Sequence, residues 1–213
     1  MKCVFEVNSR AAMAESAELK HAKLVDFLKT LPFPWGLPKD FDISFPGFGE
    51  EFTATSNLNK FIGNGIKMSV FYRYRNMLED DQSCDDRIYI EFNSKKIDYS
   101  NLVTIIFPQF VKNFGAYTSD IYDRLLIFKN HEEKRFENRR RVINRVYPIS
   151  FYDEILCQTF FKLSPKKITD LLKGHVYKAE VFNDGIIIIA DTKPFSIDES
   201  IDFENKMKLI LKY

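Results

Sequence analysis

The chain has 213 residues, 45% of them apolar and 29% charged, proportions of an ordinary globular protein that exclude disordered and fibrous classes. Thirty-one Lys and Arg against 30 Asp and Glu leave a net charge of +1, so no global field draws it to nucleic acid or an anionic membrane. Any electrostatic partner has to be met by a local patch.

The 21 Phe and 10 Tyr point to a core of rings packed on sheet faces, and one domain spanning 1–213 is long enough to bury it without staples. Cys3, Cys84 and Cys157 are odd in number and widely spaced, which argues against a disulfide framework and for a reducing compartment. They read as two small core residues and one surface thiol. No apolar stretch approaches the ~20 residues that cross a bilayer, and the first residues show no secretory pattern. The expected compartment is the cytoplasm, with no membrane partner.

Lys2 to Val7 alternates as a first strand, with Cys3, Phe5 and Val7 on one side. Asn8 and Ser9 can cap a helix from Arg10 to about Leu31, whose Met13, Ala17, Leu24, Leu28 and Leu31 form an apolar stripe. His21 lies among polar neighbours there and reads as a solvated or rim histidine. Pro32, Pro34, Gly36 and Pro38 end the helix, with Phe33 and Trp35 pinned against the core. Two short strands come after it, Phe41 to Phe45 and Phe52 to Thr55, around a turn from Pro46 to Gly49.

The clearest strand signals come next. Ile66, Met68, Val70, Tyr72 and Tyr74 alternate with Lys67, Ser69, Phe71, Arg73 and Arg75, and the period returns in Ile88, Ile90 and Phe92. These runs predict an antiparallel pair. Their link, Asn76 to Asp86, holds Glu79, Asp80, Asp81, Asp85 and Asp86 and no Lys or Arg, so a local negative patch is expected at the end of the pair.

Tyr99, Leu102, Val103, Ile106, Phe107, Phe110 and Phe114 then share a helical face that must kink or restart at Pro108 and end at Gly115. Ile121 to Phe128 reads as helix. Asn130 with Glu133 resembles a capping box opening a helix from His131 to Arg145. That run carries Lys134, Arg135, Arg139, Arg140, Arg141 and Arg145, but three adjacent arginines cannot face one groove, and Glu132, Glu133 and Glu137 are interleaved. A solvated, salt-bridged helix therefore ranks above a nucleic-acid surface, which remains an alternative. Ser150 reads as the cap of a helix through Ile155, Leu156, Phe160 and Phe161, and Ser164-Pro165 opens another that ends at Gly174. A hairpin turns at Asn183-Asp184, and Ser196 with Glu199 caps a last helix. Strands and helices mix without strict alternation, which predicts an α+β fold with a mainly antiparallel sheet.

No zinc spacing, phosphate loop, dinucleotide loop or nucleophile elbow is present, and the acidic link lacks calcium-loop spacing. No catalytic residue, metal or cofactor is expected, although an enzyme of unrecognised type is kept as an alternative.

From Tyr99 onward the layout resembles small cytoplasmic immunity proteins that accompany secreted bacterial toxins. The matching features are the apolar helix ending near Phe114, the run Arg145-Val146-Tyr147-Pro148-Ile149, then Asp153 and Cys157, and the Asn183-Asp184-Gly185 hairpin. The resemblance implies a non-enzymatic protein that neutralises a cognate protein toxin by occluding its active or substrate-binding site. Toxins acting on nucleic acids or nucleotides tend to present basic clefts, so the expected contacts are Glu79, Asp80, Asp81, Asp85 and Asp86, with Tyr72, Tyr74 and Tyr89 as an aromatic centre.

Overall fold

Strand β1 (Lys2–Arg10) is buried on both faces because it lies near the middle of an eight-stranded sheet. The computed structural model describes residues 1–49, 52–126 and 138–213. The other strands are β2 (Thr53–Asn57), β3 (Ile66–Arg73), β4 (Asp85–Asn93), β5 (Thr118–Asp123), β6 (Ile149–Asp153), β7 (Lys178–Phe182) and β8 (Gly185–Ile189). Their order is β2-β3-β4-β1-β5-β6-β8-β7, and every neighbouring pair is antiparallel. With helices packed on both sides, this is an α+β fold.

The register assigns the faces. Phe5 stands opposite Ile90 and Ile121, and Ile149 opposite Ile189, so these side chains share one face. Helix α1 (Ala17–Thr30) and helix α3 (Phe107–Phe114) cover that face through Leu24, Phe27, Leu28, Phe107 and Phe110. On the opposite face, Tyr152, Ile186 and Ile188 are covered by a second cluster. Its other members come from α5 (Pro165–Leu172) and α6 (Ile197–Leu211), and from the helix that begins at α4 (Glu154–Leu156) and continues through a π segment (Cys157–Phe161). On that same face, β2, β3 and β4 present Thr53, Thr55, Lys67, Ser69, Phe71, Arg73, Arg87, Tyr89 and Glu91, none of them fully buried.

Local chemistry explains several elements. The helix that starts at α2 (Tyr99–Asn101) widens into a π segment over Leu102–Ile106 immediately before Pro108, whose ring and missing N–H do not fit a regular interior turn. Gly115 then closes it in the left-handed region, φ 65°. Asn183 and Asp184 both have positive φ, 47° and 56°, as a two-residue hairpin turn requires. Ser196 and Glu199 form the expected capping box.

Other expectations are corrected. Helix α1 begins at Ala17 behind Ser16; Asn8 and Ser9 belong to β1, and Met13 is exposed. Phe41 to Phe45 is not a strand. Trp35 is buried as expected, but Phe33 is 82% exposed. Thr118–Asp123 is a strand, although the sequence suggests helix from Ile121 onward. Ile149–Asp153 is also a strand, and Asp153 rather than Ser150 caps the helix after it. Residues 138–145 are turn and irregular backbone rather than helix, while the Asn130-Glu133 capping box lies outside the described residues. Cys3 and Cys157 are buried and Cys84 is partly exposed, all three as free thiols; burial pushes Cys3 up to about 11 and Cys157 to about 12. No helix among the described residues is long and apolar enough to cross a membrane.

Candidate functional site

The acidic link and the arginines after residue 137 meet at one end of the sheet. Asp85 and Asp86 open β4, and because side chains alternate along a strand they point to opposite faces. Asp86 enters the core beneath α1. Its carboxylate accepts both Arg75 guanidinium nitrogens at 2.8 and 2.7 Å, lies 3.0 Å from Lys20 Nζ, and accepts the Arg73 backbone N–H at 2.9 Å. Lys20 also donates to Ser9 Oγ at 2.7 Å. Burial pulls the Lys20 ammonium down, and the Asp86 charge opposes it.

Asp85 faces the other way. It accepts Arg140 Nε at 2.8 Å and the Tyr117 hydroxyl at 2.5 Å. Burial raises its carboxyl, offset in part by those two bonds. Arg140 Nη1 also donates to the Glu79 carbonyl at 3.1 Å, and Arg141 Nη2 reaches Asp80 at 2.6 Å. Asp80, whose side chain is 63% exposed, is held below the usual carboxylate range chiefly by its bond to Arg141. Asp81 accepts the Ser83 N–H, and that bond lowers its carboxyl as well. Asn138 Nδ2 donates to the Asp80 carbonyl at 2.8 Å, and the Arg139 N–H to Gln82 Oε1 at 3.1 Å. The link is thus stitched to residues 138–141, and its charge is largely paired.

A third cluster surrounds Glu6 at mid-sheet. Its carboxylate accepts Arg139 Nη1 and the Tyr122 hydroxyl, each at 3.0 Å, and lies 3.6 Å from Arg87 Nη1. Burial pushes the Glu6 carboxyl up, but the Arg139 and Arg87 charges outweigh it and leave it lowered. Asp120, its cross-strand neighbour, is driven the opposite way: burial and then the Glu6 charge raise it well above an ordinary Asp. Asp120 Oδ1 has no hydrogen-bond partner among the described residues. A carboxyl whose folded pKa is raised costs stability as pH climbs from the unfolded value, about 3.9, toward the folded one. Asp120→Asn should therefore be more stable than the parent at neutral pH, with the gap narrowing as pH falls to about 4. Urea midpoints across this range test it; a gap independent of pH contradicts it.

Comparison with known proteins adds the fold. No family model matches the chain, and no curated protein matches it. Among solved structures it is similar to the Pseudomonas aeruginosa T6SS protein PA0821, with a TM-score of 0.60 at 8% identity, over 99% of this chain and 72% of that one. At that identity the likeness is one of fold.

Of the residues singled out in the sequence, Glu79, Asp80 and Asp81 reach the surface, and Tyr74 and Tyr89 are half-buried. Tyr72, Asp85 and Asp86 are buried and offer no direct contact surface. The expectation of one exposed patch of five acids is corrected accordingly: the bases that neutralise it come from elsewhere in the chain. The basic run is likewise accounted for in its described part, with Arg139 on Glu6, Arg140 on Asp85, Arg141 on Asp80 and Arg145 on Glu204. His21 is a core residue rather than a rim one: Nε2 donates to the Ile43 carbonyl at 2.9 Å and Nδ1 accepts the Tyr72 hydroxyl at 3.1 Å, while burial lowers its pKa. Among the described residues, no group of three His, Cys, Asp or Glu could hold a metal ion. Sequence reasoning missed Phe52 and Met77, each more than half exposed; Phe52 packs on the Tyr74 ring, and its positive φ of 54° is the kind of strain that favours glycine. Nothing in the local sequence signals that backbone.

Proposed function

We propose that this protein is an immunity protein that binds a cognate bacterial toxin and occludes its active or substrate-binding site, without catalysis and without a cofactor. The observation that carries the reading is the fold likeness to a T6SS protein along 99% of the chain, which joins the immunity-protein layout seen from Tyr99 onward. A toxin-binding protein needs a surface rather than a reaction centre.

The proposed contact surface is the outer side of the acidic link. Glu79, Asp80 and Asp81 supply charge there, and Tyr74, Phe52 and Met77 supply apolar area beside it. Tyr89 lies on the open face of the neighbouring strand. Apolar anchors provide most of the binding energy at such a surface, and charge speeds and selects the encounter. Asp86 acts from inside by tying the end of the link to Arg75 at its start, and Asp85 by holding Arg140.

The test is genetic and biochemical. The neighbouring open reading frame is expressed alone and with this chain, growth is scored, and the two proteins are co-purified. Toxicity relieved by this chain, with a stable complex, is the expected result. A harmless neighbour, or toxicity that this chain does not relieve, contradicts the proposal.

A further inference from the structure

The open face of the sheet carries a recess of about 280 Å³ that the proposed acidic contact surface leaves unused. Its charge is opposite to that of the link. Arg73, Arg87 and Arg139 line it, together with Phe71 and the polar side chains of Gln82 and Asn8. The Arg87 guanidinium lies over the Phe71 ring, 4.9 Å from its centroid, which fixes its plane. Arg139 holds Glu6 with Nη1, Arg73 holds Thr53 Oγ1 with Nη1, and Arg87 Nη1 is 3.6 Å from Glu6.

A guanidinium has five N–H groups, so most of the donors in this recess have no partner side chain among the described residues. Two of the three cations, Arg87 and Arg139, share one carboxylate, Glu6, while Arg73 is held by the neutral Thr53 hydroxyl and Asp85 at the edge is already bonded by Arg140 and Tyr117. The side chains of Arg87 and Arg139 are 42% and 46% exposed, within reach of a visitor.

We infer that this recess binds an acidic side chain of a protein partner, with basic residues next to that acid meeting Glu79, Asp80 and Asp81 on the link, whose following residues Gln82 and Ser83 line the recess. The link decides against nucleic acid: a phosphate backbone repeats its charge every few ångströms, and a copy leaving the recess past Gln82 and Ser83 would meet the acids that precede them. A carboxylate with basic side chains beside it fits arginines next to an acidic link, and a guanidinium fork matches carboxylate geometry. The inference rests on the proposed function for the identity of the partner, but not for the chemistry of the recess.

The test uses the whole chain and two capped pentapeptides, Lys-Lys-Glu-Lys-Lys and the same peptide with Gln at its centre. Binding is followed by the arginine Nε–Hε resonances in NMR titrations. The Glu peptide should bind about tenfold or more tightly than the Gln peptide and shift Arg87 and Arg139. The double variant R73Q/R87Q, which leaves the Arg139–Glu6 pair in place, should lose that preference, and a short oligothymidine should bind more weakly than the Glu peptide. Equal affinity for the two peptides, a preference that survives in the double variant, or tighter binding of the oligonucleotide each overturns the inference. These titrations need no toxin, so the two readings fail separately. Growth rescue without a peptide preference removes only the recess from the mechanism. A peptide preference with no toxic neighbour removes only the immunity reading.

Discussion

Asp86→Ala should cost about 3–5 kcal/mol of folding stability, the cost of leaving buried charge without its partner. One carboxylate holds Arg75 through two hydrogen bonds, Lys20 at 3.0 Å and the Arg73 backbone N–H, and none of it is exposed. Removing it leaves two cations facing each other under α1. Lys20, already depressed by burial, would then lose its proton more readily in the folded state than in the unfolded one. The unfolded state would bind more protons, so the stability of the variant should rise with pH as the folded Lys20 deprotonates. Adding Lys20→Met should recover part of the loss by removing one stranded charge. Urea unfolding of the three proteins checks both points, and a loss under about 1 kcal/mol would show that water reaches the pair and screens it.

Phe110→Ala should be comparably severe, about 3–5 kcal/mol, for an unrelated reason. The Phe110 ring is wholly buried and meets Phe5 at 5.3 Å and Phe27 at 5.2 Å in edge-to-face contacts. It therefore ties α3, β1 and α1 together, and its removal leaves a cavity bounded by a sheet and two helices that cannot close independently. The denaturation midpoint should fall without a change in slope, since the folded and unfolded states keep their extents of exposed surface. A changed slope would mean that the helices detach from the sheet.

The parts of the fold that are legible in the sequence are those whose cause is local. The β3–β4 pair and the β7–β8 hairpin carry period-two runs or a left-handed turn pair, and the last helix carries its own capping box. Strands β5 and β6 are illegible because they are buried on both faces, so Thr118–Asp123 and Ile149–Asp153 show little alternation. Asn8 and Ser9 mislead for a related reason. They are good capping residues by type, but they lie within a central strand, and Ser9 accepts a bond from Lys20 instead of capping a helix.

The candidate site is half legible. The acids of the link and the arginines after residue 137 are both visible, and each suggests a separate partner. Their mutual pairing is not visible, because Arg140 and Asp85 are 55 residues apart and Arg141 and Asp80 are 61 apart. Only the sheet order, which places β4 beside β1 and β1 beside β5, brings them together. The same closure creates the arginine recess, whose members come from β3, β4 and the segment after residue 137.

The central claim is that the acidic link is held in place by the arginines, and a double-mutant cycle between Asp85 and Arg140 tests it most directly. Asp85→Asn, Arg140→Gln and the double variant are compared with the parent by urea unfolding. The 2.8 Å charge-assisted bond between buried groups predicts a coupling of about 1.5–3 kcal/mol, with the double variant far less destabilised than the sum of the two single ones. Single effects that add to within about 0.5 kcal/mol would contradict the claim and return both runs of charge to the surface.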